Sequence, residues 1–282
     1  MRRATGRAAL TVAAVALCTL VLGFLVLPIA ALITYQPIPS LIEGFGTNLA
    51  TEAILVSLKT NVIALVVILG LGTPFAFILA RRRFRGRSFV ITLVELPLVT
   101  PPAVAGLGLL VAFGRMGLLG GSLETLGIDV AFTQLAVIIA LLFVAGPFYI
   151  RGAIAAYESV DENLLDVAST LGAGPMRRML LIASPLAAGG LGAAAAVAFA
   201  RGIGEFGATI LFAGSLRGTT QTLPLAVYSL FDVNLEQAIS IGVLLILVSA
   251  AVLLSSKLLI ARWTSSKSIS HSRAELSSSA LS

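Results

Sequence analysis

Three charged side chains fall inside apolar stretches of this chain: Glu95, Arg201 and Glu205. An ionised group in hydrocarbon is costly, so each needs a partner or a task. Arg201 and Glu205 stand four residues apart, the spacing at which two side chains meet on one helical face. Two uses follow. The pair holds its span in a bundle, or Arg201 lines a path and offers positive potential to an anion. Glu95 lies near the end of its stretch, close enough to snorkel to the surface. No nucleophile, base and orienting group come together, so no residue is assigned to catalysis. The G-x-x-x-x-G-K-[ST] phosphate loop is missing, so ATP hydrolysis is not expected of this chain. With one cysteine (Cys18) and one histidine (His271), neither an intrachain disulfide nor a zinc-type ligand set can form, and no cofactor is assigned.

Prolines and glycines crowd the same stretches. Pro97, Pro101 and Pro102, with Thr100 between them, remove backbone donors and must kink or break the segment around Glu95. A broken helix survives in lipid only where it packs in protein or lines a cavity. Gly202, Gly204 and Gly207 flank Glu205 and allow close helix approach or a bend, with packing alone as the alternative use.

The polar segment from Ala155 to Ser184 has a pattern of its own. Ser159 followed by Glu162 has capping-box spacing, which predicts a helix start. Asp161, Glu162 and Asp166 suit the positive end of that helix. Val160, Leu164, Val167, Ala168 and Leu171 recur at helical spacing as one apolar stripe. Gly172 ends the helix, Gly174 turns the chain, and Pro175 opens a second helix ahead of Arg177 and Arg178. Such a helix either lies on lipid or docks into a protein groove. Its acidic flank suits an anionic leaflet poorly, which favours the groove.

The elements that must position these groups follow from composition. The chain is 58% hydrophobic and 11% charged, with mean hydropathy +1.03, against roughly 45–50% and about 25% in soluble domains. Backbone polar groups in lipid must be paired within helices or closed barrels. Continuous apolar runs of about 20 residues select helices, and an all-α integral membrane protein is expected. Six spans are expected, at about 8–35, 60–80, 89–113, 131–150, 185–212 and 238–260. The first is longer than the roughly 7–15 residue core of a signal peptide and is read as a retained helix. Three regions are expected: an N-terminal stub, first span and outer loop over 1–52, a core over 53–262 containing a loop at 156–185, and a disordered cytoplasmic tail over 263–282. His271 lies in that tail and is read as solvated.

A net charge of +6 would suggest nucleic acid in a soluble protein, but in this class basic residues are topology signals, and no nucleic-acid partner is expected. With the N-terminus inside, 15 of 19 Lys and Arg face the cytoplasm, among them Arg81, Arg87, Arg151 and Arg178. Lys59, Arg115 and Arg217 face outward. Both termini are therefore expected to be cytoplasmic, with Trp263 as an interfacial anchor after the sixth span.

The Ala155–Ser184 segment resembles the "EAA" loop of ABC importer permeases: E-A-A, three residues, G, nine residues, I-x-L-P. Asp166-Val167-Ala168, Gly172, Ile182 and Pro185 keep every interval, with Asp166, Val167 and Ser184 departing from the family letters. Leu96 to Gly106, Phe199 to Thr209 with its G-E-F-G-A-T string, and Gln221-Thr222-Leu223-Pro224 resemble the molybdate branch. Sulfate permeases carry a related string, so the resemblance implies an oxyanion importer with molybdate first and sulfate, thiosulfate or tungstate as the alternative cargo. The likeness covers about 48–261. It implies a type I ABC importer permease fold in the plasma (inner) membrane. It implies that Leu164, Leu165, Asp166, Val167, Ala168, Leu171, Gly172, Ala173 and Gly174 couple to a cytoplasmic ABC ATPase dimer. It also implies an extracytoplasmic oxyanion-binding protein and a permease homodimer. Pro97, Thr100, Pro101, Pro102, Arg201, Gly204, Glu205 and Gly207 are the expected pathway or gate residues. The competing classes are a gradient-driven transporter, which calls for paired midplane ionisable groups and inverted repeats, and a scaffold, in which a broken span would serve no purpose.

Overall fold

The computed structural model describes the backbone of residues 2–255 and 258. The expected anchor Trp263, His271 and the tail lie outside these residues. All regular structure among the described residues is helical. In chain order the helices are α1 (Arg2–Thr34), α2 (Ile38–Phe45), α3 (Asn48–Arg81), α4 (Arg87–Val99), α5 (Pro102–Phe113), α6 (Gly120–Thr125) and α7 (Gln134–Glu158). Then come α8 (Glu162–Thr170), α9 (Pro175–Arg178), a π-helical turn over Met179–Ala183, α10 (Ser184–Ile203), α11 (Gly207–Phe212), α12 (Leu223–Leu230) and α13 (Leu235–Ser255).

Among the described residues, five helices are long and apolar enough to cross a bilayer: Val12–Thr34, α3, α7, the continuous run Pro175–Ile203, and α13. The pair α4 and α5 makes a sixth span if it is taken as one crossing. The chain turns by 112° between the two halves of the pair, so the expected third span is broken outright. The reason is local. The Thr100 N–H still bonds the Leu96 carbonyl, but Pro101 and Pro102 bring no donors, and the α4 ladder stops. Pro102 then opens α5, where a missing N–H costs nothing.

The core is built on α7. Small residues along it, among them Ala136, Ala140, Ala145 and Ala153, are fully buried and let α3, α10 and α5 approach closely. Thr73 and Tyr149 share a hydrogen bond of 2.6 Å between α3 and α7. Tyr157 does the same with Ser184 at 2.8 Å, tying α7 to α10. At the other end of α3, Leu223 donates its N–H to Ser57 at 2.8 Å and anchors the start of α12. By contrast no residue of Val12–Thr34 in α1 is buried, and Leu32 near its end packs on the cluster of Leu41, Ile239 and Val243.

Two sequence boundaries shift. α3 begins at Asn48, so Lys59 lies inside the helix and bonds Gln134 at 2.9 Å. α7 runs on to Glu158, which places Arg151 within a helix as well. Both were expected in loops. The helices outlast the hydrocarbon because α3 alone reaches about 51 Å at 1.5 Å per residue.

Candidate functional site

The two interrupted spans meet at their interruptions. α10 ends at Ile203, Gly204 caps it, and a short break passes through Glu205 and Phe206 before α11. The expected fifth span over 185–212 is therefore not one helix. A Cβ on Gly207 would sit 2.6 Å from the Pro102 side chain, and one on Gly106 would sit 2.7 Å from the Ala208 carbonyl oxygen. Only glycine lets the start of α5 and the start of α11 come this close. On the other side, a Cβ on Gly202 would sit 2.7 Å from Asn61 Oδ1, and Asn61 donates to the Phe199 carbonyl at 3.3 Å.

Glu205 organises the break. Its Oε1 accepts the Ala208 N–H at 2.8 Å and caps α11, while Oε2 pairs with Arg201 Nη1 at 2.8 Å. The Glu205 side chain is 1% exposed and that of Arg201 31% exposed. The four-residue pairing is thus made, although Glu205 stands past the end of the helix that carries Arg201. A carboxylate at a helix N-terminus is favoured by the unpaired N–H groups there. The Arg201 side chain is partly exposed, and Gly204 is exposed. Pro97 and Thr100 are partly covered, and Pro101 and Pro102 are exposed, as are Val99 and Val104. Glu95 does more than snorkel: it lies 3.6 Å from Arg151 of α7.

The segment between α7 and α10 forms a helical hairpin. The helix start lies at Asp161, not Ser159: Asp161 Oδ1 accepts the Asn163 N–H at 3.0 Å, whereas Ser159 donates its hydroxyl to the Ala156 carbonyl at 2.8 Å. Asp satisfies the same orphan donors as Ser, and Ser159 is taken up as the C-cap of α7, so the start moves to Asp161. The stop is where glycine put it. Gly172 has φ +84°, its N–H bonds the Ser169 carbonyl, and the Ala173 N–H bonds the Ala168 carbonyl. That is the Schellman pairing, which needs a left-handed residue. Gly174 then caps α9, with Pro175 first in the helix.

The apolar stripe divides in two. Of the stripe, Val160 and Ala168 are buried, and Leu165, outside the stripe, is buried with them. Leu164, Val167 and Leu171 are 49%, 58% and 82% exposed and form a second, outward apolar face, with Asp166 exposed beside them. The inward face is held by Arg81, whose Nη2 donates to the Tyr157 and Val160 carbonyls, each at 2.6 Å. Arg87 donates to the Leu79 carbonyl and to Glu158, both at 2.6 Å. Sequence reasoning gave Arg81, Arg87 and Arg151 only a topological role. Apart from the Leu79 carbonyl, eight residues from Arg87, their partners are carbonyls and carboxylates far away in the chain, and no local pattern marks them. Asn61 carries no local signal for the same reason.

Residues 72–265 match the family described as binding-protein-dependent transport system inner membrane component. The chain belongs to that family. Among its relatives, the molybdenum transport system permease protein ModB of Mycobacterium tuberculosis is 38% identical over 231 residues, covering 82% of this chain and 88% of that protein. ModB of Escherichia coli is 40% identical over 182 residues, covering 64% and 80%. The sulfate transport system permease protein CysW of Synechococcus elongatus is 33% identical over 222 residues, covering 77% and 78%. Of the solved structures, a chain of a bacterial alginate ABC transporter superposes with TM-score 0.68 at 18% identity, covering 89% of this chain and 93% of that one. A chain of the MetNI methionine ABC transporter gives TM-score 0.61 at 18% identity, covering 76% and 96%. At that identity the fold is what is shared, and it is the type I importer permease fold. A family member with these spans is a multi-pass inner-membrane protein.

Proposed function

We propose that this chain is the membrane-spanning subunit of an ATP-driven importer that carries an oxyanion, molybdate first among them, into the cytoplasm. The observation that carries the reading is the two-faced helix α8. One face, Leu165 and Ala168, is locked to the bundle, and the other, Leu164, Val167 and Leu171, presents apolar surface outward. A helix held this firmly while exposing a second greasy face is suited to a groove on another protein. The ATPase subunit is the occupant proposed for that face, with Asp166, Gly172, Ala173 and Gly174 shaping the handle it grips. Both termini and this hairpin lie in the cytoplasm on the basic-residue count.

Two copies of the chain complete the pathway, each contributing its broken α4–α5 pair and its α10–α11 break. Pro97, Thr100, Pro101, Pro102, Gly204, Glu205 and Gly207 form the constricted region, and the exposed part of Arg201 attracts the dianion. An extracytoplasmic binding protein selects the ion and delivers it to the opposite end of the bundle. Molybdate is favoured by the molybdenum permeases among the relatives, and the likeness to CysW makes sulfate the second reading.

The test is uptake by proteoliposomes holding the permease, its ATPase and its binding protein. Molybdate accumulation should require ATP and the ATPase, and molybdate should outcompete sulfate. Accumulation without any ATPase would replace this reading with a gradient-driven transporter, and preferential sulfate uptake would change the cargo.

A further inference from the structure

A cavity of about 390 Å³ lies between the end of α3 and the α8–α9 hairpin. Arg81, Arg82 and Arg178 form its cationic wall. The Nε atoms of Arg81 and of Arg178 are both buried without a hydrogen-bond partner. A buried N–H with no acceptor is costly, and a guanidinium more so than an amide. Glu162 and Asp166 also line the cavity, yet neither forms an ion pair with these arginines among the described residues. Both carboxylates sit on the exposed side of α8, where water screens them.

The opposite wall is apolar and belongs to a spanning helix. Pro74, Phe77 and Ile78 of α3 face the cavity. From Ile78 an exposed apolar stripe climbs α3 through Phe75 and Leu71, at successive helical turns. Met176 also lines the cavity and is exposed, as is Leu180 four residues on. The site thus has a cationic floor at the end of a span and a greasy track leading from it toward the hydrocarbon. A free oxyanion would satisfy the guanidinium groups and leave the track unused. A phosphodiester headgroup with an acyl chain matches both parts.

We propose that this cavity binds one anionic phospholipid, its phosphate against Arg81, Arg82 and Arg178 and an acyl chain along Ile78, Phe75 and Leu71. Basic pockets between spans at the cytoplasmic surface suit anionic headgroups. Bound there, the lipid braces α3 against the hairpin that carries α8. The proposal needs only that α3 spans the bilayer, so it stands whichever ion is carried.

The full-length chain, purified in detergent, is titrated with phosphatidylglycerol and with phosphatidylcholine and read by native mass spectrometry. One phosphatidylglycerol should bind in preference to phosphatidylcholine. Arg178→Gln should weaken it about fivefold, the worth of one basic residue at an anionic surface, and Arg178→Lys should retain most of the affinity. Arg82→Gln, which leaves the Arg81 contacts in place, gives a second reading if the first variant does not fold. Equal binding of the two lipids would overturn the proposal, as would displacement of phosphatidylglycerol by millimolar inorganic phosphate, which would make this a free-anion site. Loss of ATPase copurification in Arg178→Gln with lipid binding unchanged would also overturn it, by giving the cavity to an acidic segment of that subunit.

Discussion

The Arg201–Glu205 pair allows a prediction with two separable parts. Glu205 makes two contacts, a cap on α11 and an ion pair with Arg201, each at 2.8 Å. Glu205→Gln keeps an acceptor for the Ala208 N–H and removes only the charge. Glu205→Ala removes both. Breaking a fully buried pair costs about 3–5 kcal/mol, because an unpaired charge is left behind. Arg201 is 31% exposed, so water takes up part of its charge, and the loss here should be about 1–2 kcal/mol. The lost cap adds about 1 kcal/mol. The expected order is therefore Glu205→Gln at about 1–2 and Glu205→Ala at about 2–3 kcal/mol. Thermal unfolding of the purified variants reads this at about 2–4 °C per kcal/mol for a chain of this size. A double-mutant cycle with Arg201→Met isolates the pair, and a coupling of at least about 0.5 kcal/mol is expected. Equal losses for Gln and Ala, or an additive cycle, would refute the two-contact account of Glu205. The same variants separate structure from transport. Arg201→Ala that still folds and assembles should lower oxyanion uptake, and unchanged uptake would confine Arg201 to holding the break.

Other expectations follow from single contacts. Gly207→Ala puts a methyl 2.6 Å from the Pro102 side chain; it should cost about 1–3 kcal/mol in unfolding measurements, whereas Gly189→Ala, which meets nothing, should be neutral or stabilising. Val167→Asp, on the outward face of α8, should leave thermal stability within about 0.5 kcal/mol and abolish copurification of the ATPase. Retained copurification would count against that face as the grip. Gly172→Ala meets no neighbouring atom but keeps φ +84°; it should cost about 1 kcal/mol and loosen the α8–α9 turn, detectable as faster hydrogen exchange at Ala173.

Much of the hairpin was legible in the chain. Gly172, Gly174 and Pro175 act through their own backbone preferences, so their stop, turn and start signals need no tertiary partner. The Asp161 cap was a near miss of the same local kind: Ser159 and Asp161, two positions apart, offered similar oxygens, and the run-on of α7 decided between them. The division of the apolar stripe was not legible. Leu164 and Leu165 have the same composition and differ only in which one the bundle covers.

What the sequence by itself determined is the set of properties that each segment carries alone. Apolar length makes the spans, Pro101 and Pro102 break the ladder after Thr100, and the spacing from Asp166 to Pro185 marks the hairpin. Tertiary structure alone decided that the two breaks would meet, with Gly207 on Pro102 and Gly106 on Ala208. It also decided that Glu205 would cap a new helix instead of extending an old one, and that Arg81 would fasten the hairpin through the carbonyls of Tyr157 and Val160. Those contacts join residues from about 75 to more than 100 positions apart, or depend on where a neighbouring helix ends. Periodicity and propensity describe a segment's preference for its own shape, and close approach between segments is settled only when all of them pack at once.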